Sequence, residues 1–387
     1  MPRHPHFSPS VDDISGAVYS ALAHRLASFP GEVYPLHVGD TWMEPPEGCR
    51  MEDLTVAQYP GMHRYAPPQG MPALIDALVE QTRARSGAAT ERENILITTG
   101  ATGGLGAVAG AILTPGDEVL LLAPHWPLIT GIVRSFHGVP VDVPFFGAAD
   151  SPETAVDAVR AKLTPRTAAL YLNTPSNPAG QVIPRSWIEA LVAFAERENL
   201  WILSDEVYED YVYNGEHTYT RPLAPERTFA SHSFSKAFGM AGNRCGHIVG
   251  PTAAMPELRK ISLHSFYSTP TASQLAALRV LNGPGAPWIV KAREQYRRSG
   301  EQAAARLGIA PPQGSTFLFL DVADKSADKL DERGLGGFLE DCVDRGLFVA
   351  PGPSFGPYPT HIRLCFTAAP PDIVTRGVEV LASVLGL

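Results

Sequence analysis

Ser231-His232-Ser233-Phe234-Ser235-Lys236-Ala237-Phe238-Gly239-Met240-Ala241-Gly242-Asn243-Arg244-Cys245-Gly246 is the stretch on which the reading of this chain turns. It continues an apolar run, Thr228 to Ser233, that has strand character. A lysine set among serines, glycines and aromatic rings just past a strand is atypical of a solvated charge, and it suits an amine that forms a Schiff base with a carbonyl. Arg244 lies eight residues further on, with Gly246 beside it.

Outward from this segment, strand-like and helix-like stretches alternate. Met71 to Ser86 has helical spacing, Asn94 to Thr99 is a β-branched run ending at Gly100, and a helix follows through Leu113 until Thr-Pro-Gly stops it. Glu118 to Ala123 is nearly all apolar, Ile129 to Phe136 is helical in pattern, and Val139 to Pro144 alternates as a strand. Ala168 to Asn173, Trp201 to Asp205 and Thr228 to Ser233 repeat the theme, with a helix from Arg185 to Asn199 between the first two. Apolar strands separated by helices predict an α/β fold whose large domain has a mostly parallel sheet covered by helices on both faces. After Pro287 the texture changes to a long Arg-rich helix, Trp288 to Leu307, and short strands at Thr316 to Val322, Leu347 to Ala350 and His361 to Phe366. This predicts a smaller α+β domain built from the C-terminal part and the N-terminal segment, with boundaries at 1–45 for an arm, 46–285 for the large domain and 286–387 for the small one.

Ligands of open parallel sheets sit outside the carboxyl ends of the strands, so the residues just past the strand ends carry the chemistry. Gly100-Ala101-Thr102-Gly103-Gly104 opens a helix whose free N–H groups suit a phosphate, although packing alone also accounts for such a start. Asn173-Thr174-Pro175-Ser176-Asn177-Pro178-Ala179-Gly180 is an amide-rich turn stiffened by proline, able to hold an amide at a site or to serve as an ordinary turn. Asp205 ends a buried strand, either as a helix cap or as a charge with a designated partner, and Tyr208 follows three residues on. Arg363 is central in an apolar strand, where an unpaired guanidinium would be costly.

Length and charge narrow the rest. At roughly 150 residues per domain, 387 residues make two or three domains, and Lys+Arg 31 against Asp+Glu 40 gives a net charge of -9, which speaks against a nucleic-acid or anionic-membrane binder. The N-terminal MPRHPHFSPS lacks the apolar core of a signal peptide, and no apolar run reaches the length of a membrane span. Four scattered cysteines, at 49, 245, 342 and 365, form no CxxC pair and read as reduced and buried in a cytoplasmic protein. The twelve histidines are dispersed, and His4 with His6 reads as solvated tail, so no metal site is expected.

Together these segments resemble the class I/II aminotransferases, a family of fold-type I pyridoxal-phosphate enzymes. The likeness spans most of the chain, from Leu36-His37-Val38-Gly39-Asp40 through Tyr65-Ala66-Pro67-Pro68-Gln69-Gly70 to His361-Ile362-Arg363-Leu364-Cys365-Phe366, and the SxSK-to-RxG segment is its most specific part. The resemblance implies pyridoxal 5'-phosphate held as an aldimine on Lys236, Asp205 against the pyridine nitrogen, and Tyr208 and Asn177 on the ring oxygen. It implies that Ser233, Arg244 and the amides near Ala101 and Thr102 hold the phosphate, with Trp126 stacked on the ring. Tyr65 would reach the phosphate of a neighbouring subunit, which implies a homodimer with shared sites. Arg363 would clamp the carboxylate of an amino acid or 2-oxo acid, helped by Gly39 and Asn177.

Rival readings lack companions. Gly104-Leu105-Gly106-Ala107-Val108-Ala109-Gly110 is similar to a dinucleotide turn, but the next strand ends Leu121-Leu122-Ala123-Pro124 without the acid a ribose requires. Ser233-Phe234-Ser235-Lys236 reads as SxxK without SDN or KTG, and Gly352-Pro353-Ser354-Phe355-Gly356 reads as GxSxG with no room for an acid and a histidine in order. A regulator built on the same domain would need an N-terminal DNA-binding domain, and about 35 residues precede the Gly39 segment. Transamination is the expected reaction, with a carbon–sulfur lyase or cyclase-type enzyme as the alternative. In the aspartate-using branch an arginine precedes Tyr-Ser-x-Pro by three residues, and here Tyr267-Ser268-Thr269-Pro270 has His264 at that place. The missing clamp points to a neutral, apolar or aromatic amino acid. Trp42 and Met43 are placed either to line its side-chain pocket or to pack the N-terminal segment.

Overall fold

The computed structural model describes residues 7–14, 22–326, 330 and 332–387, so His4 and His6 lie outside the described residues. Its strands are β1 (Tyr34–Pro35), β2 (Ile95–Thr98), β3 (Glu118–Ala123), β4 (Val139–Pro144), β5 (Thr167–Asn173), β6 (Trp201–Asp205), β7 (Thr228–Ser233), β8 (Gly246–Val249), β9 (Phe317–Asp321), β10 (Leu347–Phe348), β11 (Ala350–Pro351) and β12 (His361–Cys365). Seven form one sheet in the order β2-β8-β7-β6-β5-β3-β4. All neighbours run parallel except β8, which is antiparallel to both β7 and β2.

The strands are continuously apolar because both faces are covered. Leu120, Leu122, Leu170, Leu172 and Ile202 pack against Val156, Ile188 and Leu191 of the helices Pro152–Arg160 and Arg185–Arg197. Their neighbours Val119, Leu121, Ala169, Tyr171 and Leu203 point the other way, onto Leu105, Ile129, Val133 and Leu258 of the helices Gly100–Ile112, Leu128–Ser135 and Met255–Ser265. Alternation along each strand thus feeds two cores, and neither face is left for polar residues.

Two elements depart from the sequence-based reading. β8 is a four-residue strand directly behind Arg244, too short for periodicity to reveal, and its antiparallel direction is set by its partners. The run Leu347 to Ala350, expected as one strand, splits between two sheets: β10 pairs with β1, and β11 pairs with β12, which also pairs with β9. Around these short strands a further core joins Leu36, Tyr296 of the long helix Gly285–Arg306 and Leu381 of the helix Pro371–Leu385 to Tyr208 and Tyr211. All four cysteines are buried and free.

Register gathers the polar residues. Asn173 pairs with Asp205 and Asp205 with Ser231, which lines the carboxyl ends of β5, β6 and β7 in one row. Gly246 then lies between Ser233 of β7 and Thr98 of β2. A Cβ there would come within 2.7 Å of the His232 carbonyl oxygen, 2.9 Å of Gly100 C and 3.0 Å of Ala101 N. All three are backbone atoms that cannot swing aside. Gly246→Ala should therefore destabilise the protein by about 2 kcal/mol or more, read as a lowered midpoint of urea unfolding; a wild-type midpoint would show that this approach is not tight.

Candidate functional site

At the carboxyl ends of these strands lies a cleft of about 220 Å³. Of the residues expected from sequence, Gly39, Ala101, Thr102, Trp126, Asn177, Asp205, Tyr208, Ser233, Lys236 and Arg244 line it. Tyr65 and Arg363 do not. Lys236 sits in the short helix Phe234–Ala237, begun by Ser233, whose hydroxyl accepts the Ser235 N–H at 3.1 Å. Its ammonium donates to the Gly39 carbonyl and lies 3.9 Å from Asp40 Oδ1. Burial lowers the lysine pKa below its usual value, Asp40 opposes this, and the cations Arg244 and Arg363 reinforce it. A less basic amine is more readily uncharged and nucleophilic.

Asp205 is 3% exposed at the end of β6. Its Oδ2 accepts a 2.7 Å hydrogen bond from the Tyr171 hydroxyl, whereas its Oδ1 is buried without a hydrogen-bond partner among the described residues. Burial pushes the carboxyl up to about 6, against the hydrogen bond from Tyr171, the nearby Val207 N–H and the charge of His232. A carboxylate held dry with one oxygen unsatisfied is prepared for a cationic or N–H partner.

The opposite end of the cleft is built for an anion. The helix Gly100–Ile112 starts without a side-chain cap, so its first amides keep donors to offer. Arg244, in a left-handed conformation with φ 49, folds its guanidinium over Gly100. A Cβ on Gly100 would lie 2.5 Å from Arg244 Nη2, and Gly100 itself has φ +72, so only glycine fits. Arg244 donates to the Ala241 carbonyl at 2.9 Å and makes no ion pair with a carboxylate among the described residues. An orphaned carboxylate oxygen, a cation beside uncapped amides and a lysine amine in one cleft fit pyridoxal phosphate: they would complement its ring nitrogen, phosphate and aldehyde.

Arg363 is fully buried one layer behind the cleft. Its guanidinium lies 4.3 Å from the Phe317 ring centroid and 4.7 Å from that of Phe355. Nη1 donates to Asn177 Oδ1 at 2.9 Å and Nη2 to the His37 carbonyl at 2.6 Å. Through Asn177 it therefore adjoins the cleft without lining it. Tyr65 stands apart: it is 85% exposed, with its ring 4.8 Å from that of Tyr267. Trp42 and Met43 pack against the core around Tyr208, Tyr296 and Phe317, the packing role allowed for them. Residues not foreseen also belong to the site. Asn173 lines the cleft, donates to the Asp205 carbonyl at 2.8 Å and accepts the Asn177 N–H at 2.7 Å. Tyr171 was hidden because a tyrosine in an apolar strand reads as core.

The family model for aminotransferase class I and II matches residues 36–381. The aspartate/prephenate aminotransferase of Thermus thermophilus is 33% identical over 377 residues, which is 95% of this chain and 94% of that protein. The arginine–pyruvate transaminase of Pseudomonas aeruginosa is 32% identical over 343 residues, 86% of this chain and 85% of that protein. The solved structure of the Thermus thermophilus aspartate aminotransferase with maleate has a TM-score of 0.88 at 30% identity, covering 98% of this chain and 100% of that one. The chain thus belongs to the class I and II aminotransferase family, whose enzymes use pyridoxal phosphate.

Proposed function

We propose that this aminotransferase moves the amino group of a neutral, apolar or aromatic L-α-amino acid to a 2-oxo acid, with Lys236, Asp205 and Tyr208 as its reacting and cofactor-contacting groups. The observation that carries the substrate reading is the charge of the cleft: Lys236 and Arg244 are the cations among its lining residues, and Arg363 adjoins it. With the first two assigned to the cofactor and Arg363 to one carboxylate, the described residues that line the cleft offer no further cation for a second. His264, at the place of the aspartate branch's arginine, lies on the helix Met255–Ser265 with Nδ1 2.8 Å from the Lys260 carbonyl, outside the cleft lining. Relatives whose names carry aspartate or arginine bound the family's range without assigning this chain's substrate.

Bound pyridoxal phosphate supplies an electron sink for the bond broken at the substrate's Cα. Lys236 would supply the amine that holds the cofactor and, when free, would accept the Cα proton at Nζ. Its lowered pKa keeps more of the amine in the unprotonated form that such a step requires. Asp205 Oδ1 would accept from the ring N–H, and Tyr208 with Asn177 would hold the ring oxygen. Arginine's planar fork matches a carboxylate bidentately, so Arg363, with Asn177 and the Gly39 backbone, selects α-amino acids over simple amines. The exposed pair Tyr65 and Tyr267 supports a homodimer in which Tyr65 reaches the partner's phosphate site. With the chain divided at residues 45 and 285, Arg363 would belong to the smaller domain and reach the site through Asn177.

Three measurements test the reading. Lys236→Ala should lose both transamination and the visible chromophore that borohydride reduces; a reducible chromophore surviving in the variant would overturn the lysine's role. Arg363→Ala should raise KM for amino acids by at least about tenfold, one to two charge-assisted hydrogen bonds, with cofactor retained, while leucine or phenylalanine should outperform aspartate as donor. A preference for aspartate sinks the substrate reading. The third concerns the apoprotein. A carboxyl raised from 3.8 to about 6 costs on the order of 3 kcal/mol to keep ionised at neutral pH, a cost absent below about pH 4 that grows until the pH passes 6. Apo Asp205→Asn should therefore gain stability relative to the unaltered apoprotein as pH rises across that window, measured as the difference in unfolding midpoints. A gap that stays flat with pH would show that Asp205 ionises freely.

A further inference from the structure

We propose that Tyr171 is a positioning residue for Asp205: its hydroxyl holds Oδ2 so that Oδ1 remains as the acceptor for the cofactor's ring nitrogen. This rests on the pyridoxal-phosphate reading and deepens it. Strand register places the pair. Tyr171 of β5 stands opposite Leu203 of β6, and Asn173 stands opposite Asp205. Residues two apart share a face, so Tyr171 and Asp205 are diagonal neighbours on one face, a separation that an aromatic side chain spans. The hydroxyl meets Oδ2 at 2.7 Å, and Tyr171 is fully buried in the core beneath the cleft.

The other charged groups around Asp205 are committed elsewhere. On β7, His232 Nδ1 lies 3.0 Å from Glu209 Oε1, and its ring stacks on His247 with centroids 4.8 Å apart. Glu206, next in sequence, turns away to accept from Ser204 at 2.8 Å and the Thr220 N–H at 3.1 Å, with His217 3.3 Å from its second oxygen. These groups reach Asp205 through space only. Among the described residues, Tyr171 is the side chain that donates to its carboxylate. Burial and the neighbouring Asp205 charge raise the phenol well above its usual pKa, so it stays a donor wherever the enzyme works. An imidazole in the same place would gain and lose charge near neutrality. A phenol fixes the carboxylate without adding a titration of its own.

Tyr171→Phe removes one oxygen and keeps the ring, and a circular-dichroism melt establishes that it folds. Fluorescence titration of the apoprotein with pyridoxal phosphate should show affinity reduced about tenfold or more, the weight of one hydrogen bond to a charged group. Carbon-13 NMR of labelled aspartate in the apoprotein should show the Asp205 carboxyl titrating at higher pH than in the unaltered protein, because the lost bond favoured the ionised form. A ring-fluorinated tyrosine at 171, which retains the bond and acidifies its donor, should move the same titration down and serves if the phenylalanine variant does not fold. In the Asp205→Asn background, Tyr171→Phe should lose its effect on affinity. A role in packing alone predicts no movement of the carboxyl titration, and an unchanged titration with unchanged affinity overturns the proposal. Failure of the unaltered protein to bind pyridoxal phosphate overturns instead the reading beneath it.

Discussion

A carboxylate kept dry at the end of a central strand is the constraint around which this site is organised. Asp205 ends β6 in the middle of the large sheet, flanked by Asn173 and Ser231 on the neighbouring strands, with water excluded and one oxygen unsatisfied. In isolation such a group is a liability, since the interior favours its neutral form. It becomes useful when a ring N–H is delivered to it, because the same dryness then strengthens the new contact. The sheet supplies the rigidity, and the lysine and arginine that follow β7 supply the complementary charge.

That arrangement goes with close backbone packing around Arg244 and the start of the helix Gly100–Ile112. Gly100 and Gly246 let β2, β7, β8 and the start of the helix Gly100–Ile112 converge so that Arg244 lies flat over the turn. The short helix carrying Lys236 starts from the same junction, so Lys236 and Arg244 share one scaffold. Lysine, arginine and helix terminus are thereby held within a single cleft by segments that are remote from each other along the chain.

Behind Asp205 lies a second set of ionisable groups. Arg85 pairs with Glu209 at 3.4 Å and with Asp210 at 3.1 Å, and Glu209 in turn meets His232. Burial opposes ionisation of Glu209, and the charges of His232 and Arg85 overcome it, holding its carboxyl below the usual range. Because each charge in this network has a partner, removing one would strand another in the interior. The network ties the loop after β6 to the helix Pro72–Ser86 and so braces the strand end that carries Asp205.

Much of this was legible in the sequence. Continuous apolar strands between amphipathic helices announce a sheet covered on both faces, and the Ser-rich lysine segment with its following arginine pointed to two residues that the fold brings into one cleft. These patterns are local, and local chemistry survives folding. The direction of β8, the division of Leu347 to Ala350 between two sheets, the seclusion of Arg363 behind Asn177 and the bond from Tyr171 to Asp205 were decided by tertiary structure alone. Each depends on which strand lies next to which and in what register, and a tyrosine among leucines looks the same in sequence whether its hydroxyl meets a carboxylate or nothing. Residue types fixed which chemistry was possible; strand adjacency and burial fixed which atoms perform it.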